Sequence, residues 1–161
     1  MGKEVKTNAM RFLEKNKISY QMHLYDSDEF TDGVATAQKL GEDVRLVYKT
    51  LVTRGKSKNC YVFVIPVAEE LDLKKAAKSV SEKSVEMIAV KELTPLTGYV
   101  RGGCSPIGMK KNFKTVIAQS AESMERFFIS GGRIGTQIEV SPKELASVIS
   151  ADFADITESS I

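Results

Sequence analysis

Lys49 is the residue whose type and setting speak most directly of chemistry. It stands in LVYKTLV, residues Leu46–Val52, flanked by Val47, Leu51 and Val52 in a run built to be packed. Desolvating an ammonium is costly, so an unpartnered lysine does not belong deep in such surroundings. Two readings stand: an edge strand whose lysine reaches water, or a charge held at a pocket mouth for a phosphate or a developing oxyanion. Two glycine-dense loops supply a possible counterpart. TGYVRGGCSPIGMKK, Thr97–Lys111, carries Gly98, Gly102, Gly103 and Gly108 around the Ser105-Pro106 step, and SGGRIG spans Ser130–Gly135. In a chain with 11 glycines, that density calls for sharp turns, positive φ or close approach to something else. Exposed amides there would suit an anion, so one expectation is that the two loops form one pocket. The other is two tight turns with no chemical duty.

What is missing narrows the chemistry. His23 is the single histidine, and with only Cys60 and Cys104 beside it the sequence holds no zinc-ligand spacing. Neither a nucleophile elbow, a phosphate-binding P-loop nor a dinucleotide fingerprint is present. Cys104 invites a nucleophile reading, but no histidine or defined base lies near it in sequence, and it reads as a bystander thiol. Ser105 can simply bond the turn backbone before Pro106. Ser130, beside two glycines at a strand end, is the better polar pocket candidate. His23 falls on the more polar face of a strand and reads as structural.

The elements that must hold these residues follow from patterning. Thr7 or Asn8 caps a first helix with Ala9, Phe12 and Leu13 inward. Ile18–Tyr25 alternates as a half-buried strand with Ile18, Tyr20, Met22 and Leu24 on one face. Val34–Leu40 reads as a short helix stopped by Gly41. Leu46–Thr53 and Cys60–Pro66 form a hairpin, and Cys60–Ile65, apolar throughout, is the central strand. Asp72 caps a helix burying Leu73, Ala76, Ala77 and Val80. Val85–Val90 is a strand, Leu93–Leu96 a connector, and Tyr99–Arg101 a strand entering the first glycine loop. Thr115–Ala118 is a short strand, and Phe127–Ser130 pairs with Gln137–Val140. Ser141-Pro142-Lys143-Glu144 is a helix start with cap, N-terminal proline and capping box. Phe153–Ile156 adds an edge strand. The pattern predicts one α/β domain of the α+β type over residues 1–161, a mixed sheet curled into a barrel-like core surrounded by helices.

Composition agrees with an ordinary globular chain. The 161 residues carry 23 Lys and Arg against 21 Asp and Glu, a net charge of +2. That is too slight to announce a nucleic-acid surface. No apolar run reaches the ~20 residues of a membrane span, and two distant cysteines fit a reducing, cytoplasmic setting.

Taken in order, VYKTLV, LDLKKAAK at Leu71–Lys78, VEM at Val85–Met87, TGYVRGGCSPIGMKK and SGGRIG resemble the YbaK/EbsC family over nearly the whole chain. KNKISYQMHLYDSD, near the start, looks like that family's first strand. These are stand-alone editing proteins similar to the insertion domain of bacterial prolyl-tRNA synthetase. The resemblance implies a Cys-tRNA(Pro) deacylase of translation, a hydrolase without metal or cofactor that acts on aminoacylated tRNA(Pro) and docks on prolyl-tRNA synthetase. Cysteine and proline are similar in size, and one apolar pocket separates such pairs only ~10–200-fold, so a second, hydrolytic site is the usual remedy.

By the same resemblance Lys49 is the pocket lysine near the ester and terminal ribose, acting with Gly102 and Ser130. Tyr25, Phe30, Thr50, Gly103, Ser105, Gly108, Gly131 and Gln137 are implied to contact substrate. The implied mechanism is substrate-assisted, the misloaded cysteine's own thiol attacking its ester. Several relatives carry an aspartate where this chain has Gln137, and the segment around Phe30 departs from the family pattern. Editing of Ala- or Ser-charged tRNA, or a non-catalytic module binding nucleotides or tRNA ends, stays open.

Overall fold

The computed structural model describes residues 6–25 and 33–158. In chain order the elements are α1 (Asn8–Lys15), β1 (Tyr20–Leu24), α2 (Gly33–Leu40), β2 (Tyr48–Gly55), β3 (Cys60–Pro66), α3 (Leu73–Ser79), β4 (Val85–Met87), α4 (Val90–Thr97), β5 (Lys114–Ala118), β6 (Phe127–Arg133), β7 (Thr136–Val140), α5 (Pro142–Ile149) and β8 (Asp152–Ala154). The strands make a five-stranded mixed sheet in the order β4-β2-β3-β5-β8 and a three-stranded antiparallel sheet β1-β7-β6.

β3 is the central strand that its unbroken apolar run predicts. It pairs antiparallel with β2 and parallel with β5, and Val62, Phe63, Val64 and Ile65 are fully buried. Phe63 and Ile117 from one sheet join Phe127, Ile129 and Ile138 from the other in a shared core. Burying each such side chain is worth ~1.5–3 kcal/mol, so this seam holds the sheets face to face.

The two sheets touch along their edges at one parallel bridge, Val47 with Phe128. The barrel-like closure expected from the sequence is not formed among the described residues: both sheets are open. The reason is local. β4 pairs with β2 only over Thr53–Gly55, and the bridge to β6 lies at Val47. Between them, Tyr48–Leu51 of β2 carry no second strand partner among the described residues. That gap positions the site.

Four further expectations need correction. Leu93–Leu96 lies within α4, whose interior Pro95 obscures its helical character; Glu92 accepts from Ala89 N at 3.0 Å at its start, and Gly98 at φ +86° ends it. Because α4 begins at Val90, β4 stops at Met87 instead of running to Val90. Tyr99–Arg101 is not a strand: the buried Tyr99 turns its hydroxyl to donate to Ile107 O at 2.7 Å. Leu73 and Leu24, expected inward, are 43% and 55% exposed. His23, on the opposite face from Leu24, is half-buried, its ring in an edge contact with Phe128 and its Nε2 2.8 Å from Glu139 Oε1.

The caps are as expected: Thr7 on α1, Asp72 on α3, and Ser141 with Pro142 on α5. Among the described residues no helix is long and apolar enough to cross a membrane.

Candidate active site

A cavity of about 470 Å³ opens at the gap between β2 and β6, and Lys49, Thr50, Gly102, Cys104, Ser130 and Gln137 are on its wall. Strand geometry explains why these side chains meet. Tyr48 faces the core, its ring edge-to-face with Phe127 at 5.0 Å between centroids and its hydroxyl 2.6 Å from Ser120 Oγ. Alternation sends Lys49 to the opposite face. Lys49 is two residues beyond Val47 and Ser130 two beyond Phe128, so the single parallel bridge leaves both residues on the wall of the gap where pairing stops. Ser130 is in turn opposite Gln137 in the β6–β7 ladder, where directly paired residues share a face. At Lys49 the strand has an uncovered edge, and that edge is part of the cavity wall.

Three polar groups of this wall, on Lys49, Thr50 and Gln137, have no partner among the described residues. Lys49 is half-buried and forms no ion pair with a described residue. Thr50 Oγ1 and Gln137 Oε1 are buried and accept no hydrogen bond, although Gln137 is only 6% exposed. Leaving such an atom unsatisfied costs ~1–3 kcal/mol, which a ligand bearing donors would relieve. Ser130 Oγ accepts from Gly132 N at 3.2 Å.

The glycines do different work. Gly102, at φ +86°, reaches the cavity wall. Gly103, Gly108 and Gly131 do not line it. A Cβ on Gly103 would stand 2.8 Å from Arg133 Cα, so Gly103 is where the first loop packs on the second, backbone against backbone. Gly108 presses on the backbone of Asn8, and Gly131 on Thr136. Ser105 is fully buried, its Oγ without a partner, away from the cavity wall. Tyr25 donates its backbone N–H to Gly135 O at 3.0 Å and does not line the cavity. Phe30 is outside the described residues. The expected second loop is a bulge within β6, where the ladder to β7 shifts register between Ser130 and Arg133.

Residues that sequence reasoning missed also line the cavity: Arg101 and Glu70 add charge, and Val34, Thr36 and Val67 add a mostly apolar side. Arg101 was visible only as the residue preceding two glycines, and nothing in the sequence placed Glu70 on the same cavity wall as Lys49. Cys104 is on the wall but 7% exposed, and burial pushes its thiol up to about 12 against the opposing effect of a Thr97 hydrogen bond. It is therefore a neutral thiol at physiological pH. Among the described residues no group of His, Cys, Asp and Glu could hold a metal ion.

The profile of the family described as "Aminoacyl-tRNA editing domain" matches residues 30–148. The chain belongs to this family. As an editing-domain protein it is an enzyme, a deacylase that hydrolyses the ester between an amino acid and tRNA. An Enterococcus faecalis protein, EbsC, named as a candidate Cys-tRNA(Pro)/Cys-tRNA(Cys) deacylase, is 44% identical over 153 residues, covering 94% of this chain and 93% of its own. The Bacillus subtilis protein YwhH, uncharacterised, is 26% identical over 125 residues, 75% of this chain and 79% of its own. A solved structure described as a candidate trans-editing enzyme for prolyl-tRNA synthetase superposes with a TM-score of 0.83 at 24% identity, covering 97% of this chain and all of its own. That likeness establishes the same fold for the editing domain.

Proposed function

We propose that this editing protein deacylates Cys-tRNA(Pro), and that the cavity beside β2 is where the ester binds. The observation that carries the reading is the combination on one wall of a lysine and two buried acceptors that have no ion-pair partner or donor among the described residues. A 3′-aminoacyl adenosine brings the complementary groups: an anionic phosphate and an ester oxygen for Lys49, an ammonium and ribose hydroxyls for Thr50 and Gln137. The identity to EbsC supports cysteine as the amino acid.

Neither the Ser130 hydroxyl nor the Cys104 thiol is bonded to a base among the described residues. Ser130 Oγ takes a backbone amide, and the Cys104 thiol is held neutral by burial. The nucleophile is therefore supplied by the substrate. The cysteinyl thiolate attacks its own carbonyl; the C–S bond forms, the C–O bond to ribose breaks, and the thiol proton ends on the departing ribose oxygen. Water then opens the cyclic thioester and frees cysteine. A thiol of pKa ~8.5 is a few per cent ionised at neutral pH, and a fixed near-attack geometry supplies much of the rest. Lys49 and the Gly102 amide stabilise the oxyanion as it develops. Gly103, Gly108 and Gly131 support the wall from behind, so their role is to shape the pocket and not to touch the ester.

With a net charge of only +2, affinity for the tRNA body is weak, and choice of tRNA(Pro) comes from docking on prolyl-tRNA synthetase. The test is ester loss from Cys-, Ala- and Ser-tRNA(Pro) with and without the synthetase. Selective loss of the cysteinyl ester is expected; loss of Ala or Ser alone would reassign specificity, and binding with no loss would mark a non-catalytic module.

A further inference from the structure

Helix α1 lies outside the matched residues 30–148, yet its first turn is where both glycine loops converge. The Thr7 hydroxyl caps α1 by accepting from Met10 N at 3.2 Å. The same hydroxyl donates to Gly131 O at 2.5 Å. A Cβ on Gly132 would stand 3.0 Å from Thr7 Cβ, and one on Gly108 would stand 2.8 Å from both Asn8 C and Tyr99 Oη. Helix start, first loop and second loop therefore meet with no room for a side chain between them.

The segment held in this way is weakly held by its own sheet. The β6–β7 ladder skips from Ser130 to Arg133, so Gly131 and Gly132 lack regular register partners across the ladder. Gly132 is at φ +102°, and two adjacent glycines have the widest conformational freedom of any pair. The Gly132 amide is also the group that orients Ser130 Oγ. A tie on Gly131 is thus a tie on the cavity wall.

We propose that Thr7 is a positioning residue of the editing pocket: its proton, given to Gly131 O, sets the Ser130–Gly132 bulge and through it the Ser130 hydroxyl. This rests on the reading of the cavity as the ester site. The two duties of the hydroxyl are chemically separable. Capping uses a lone pair and the tie uses the proton. Serine keeps both, whereas ionised aspartate is an acceptor only and keeps the cap alone.

The experiment compares Thr7→Ser and Thr7→Asp with the unaltered protein, measuring single-turnover deacylation of Cys-tRNA(Pro), KM, and amide hydrogen exchange. Thr7→Ser should match the parent. Thr7→Asp should keep α1 amides protected and KM near the parent value, while Gly132 exchanges faster and kcat falls about tenfold, since small misplacements cost that much or more. Parent-like kcat in Thr7→Asp, or a fall in kcat with Gly132 exchange unchanged, would overturn the proposal. A parent protein inert on every ester would remove the editing reading and not the tie, which the exchange of Gly132 decides by itself. Should Thr7→Asp melt early, Thr7→Ala against Thr7→Ser, well below both melting temperatures, makes the same comparison: loss of kcat in alanine alone supports the tie, and equal turnover overturns it.

Discussion

The cavity has two halves built on different principles. On the strand half, Lys49, Thr50, Ser130 and Gln137 come from strands that flank the gap, and three of them hold a charge or an acceptor with no partner among the described residues. On the loop half, Gly103 and Gly108 contribute no functional group; they let backbones approach to distances no side chain allows. One half stores unmet polar demand, and the other stores shape. The lesson is that a glycine-rich loop beside an active site need not be a ligand cradle. Here most of its glycines face away from the cavity and lock the wall in place.

Perturbing each half should therefore fail in a different way. Lys49→Ala is expected to lower kcat/KM for Cys-tRNA(Pro) by about 10²–10³-fold, the scale of losing one oxyanion donor, with the melting temperature unmoved because Lys49 forms no ion pair among the described residues. Gly103→Ala acts through structure: its Cβ meets Arg133 backbone, so thermal unfolding should show a loss of ~1–3 kcal/mol, with turnover falling as the loops separate. Gln137→Leu should separate the signs. Removing a buried acceptor without a donor leaves stability equal or raises it by up to ~1 kcal/mol, while deacylation drops several-fold. A strand half that lost stability with activity would collapse the distinction.

The smallest effect is expected at Cys104. Cys104→Ala should keep most activity, and alkylation of the native thiol at pH 8 should be slow. The same burial has a pH signature. A thiol raised to about 12 in the fold binds its proton more tightly than in the unfolded chain. Its contribution to stability is therefore present below the unfolded value, ~8.5, and is lost as pH rises toward about 12. Alkaline melting of Cys104→Ala should lack that component. Rapid alkylation, or a dead variant, would restore the thiol as a nucleophile.

Much of the frame was legible because its signals are local. The unbroken apolar run Cys60–Ile65 can only be a covered strand, and Ser141-Pro142 with Glu144 can only begin a helix. α4 was hidden because Pro95 breaks its helical pattern, and Tyr99 read as a strand because an aromatic beside Val100 has strand propensity, whatever its hydroxyl binds. In the site, Lys49 was legible from its own apolar setting. Glu70 and Arg101 were not, since their presence on the cavity wall depends on long-range packing that no window of sequence contains. The glycines were legible as constrained positions, but a sequence does not say what approaches a glycine: for Gly103 it is Arg133 of the other loop and not a ligand.

The central claim is that this pocket positions a substrate that supplies its own nucleophile. The direct measurement is kcat/KM for Cys-tRNA(Pro) and Ser-tRNA(Pro) across pH 6–9, since the two esters differ chiefly in sulfur against oxygen. A substrate thiol predicts that the cysteinyl rate climbs with pH toward ~8.5 and exceeds the seryl rate by at least about tenfold. Equal rates for the two esters, with the same pH dependence, would contradict it.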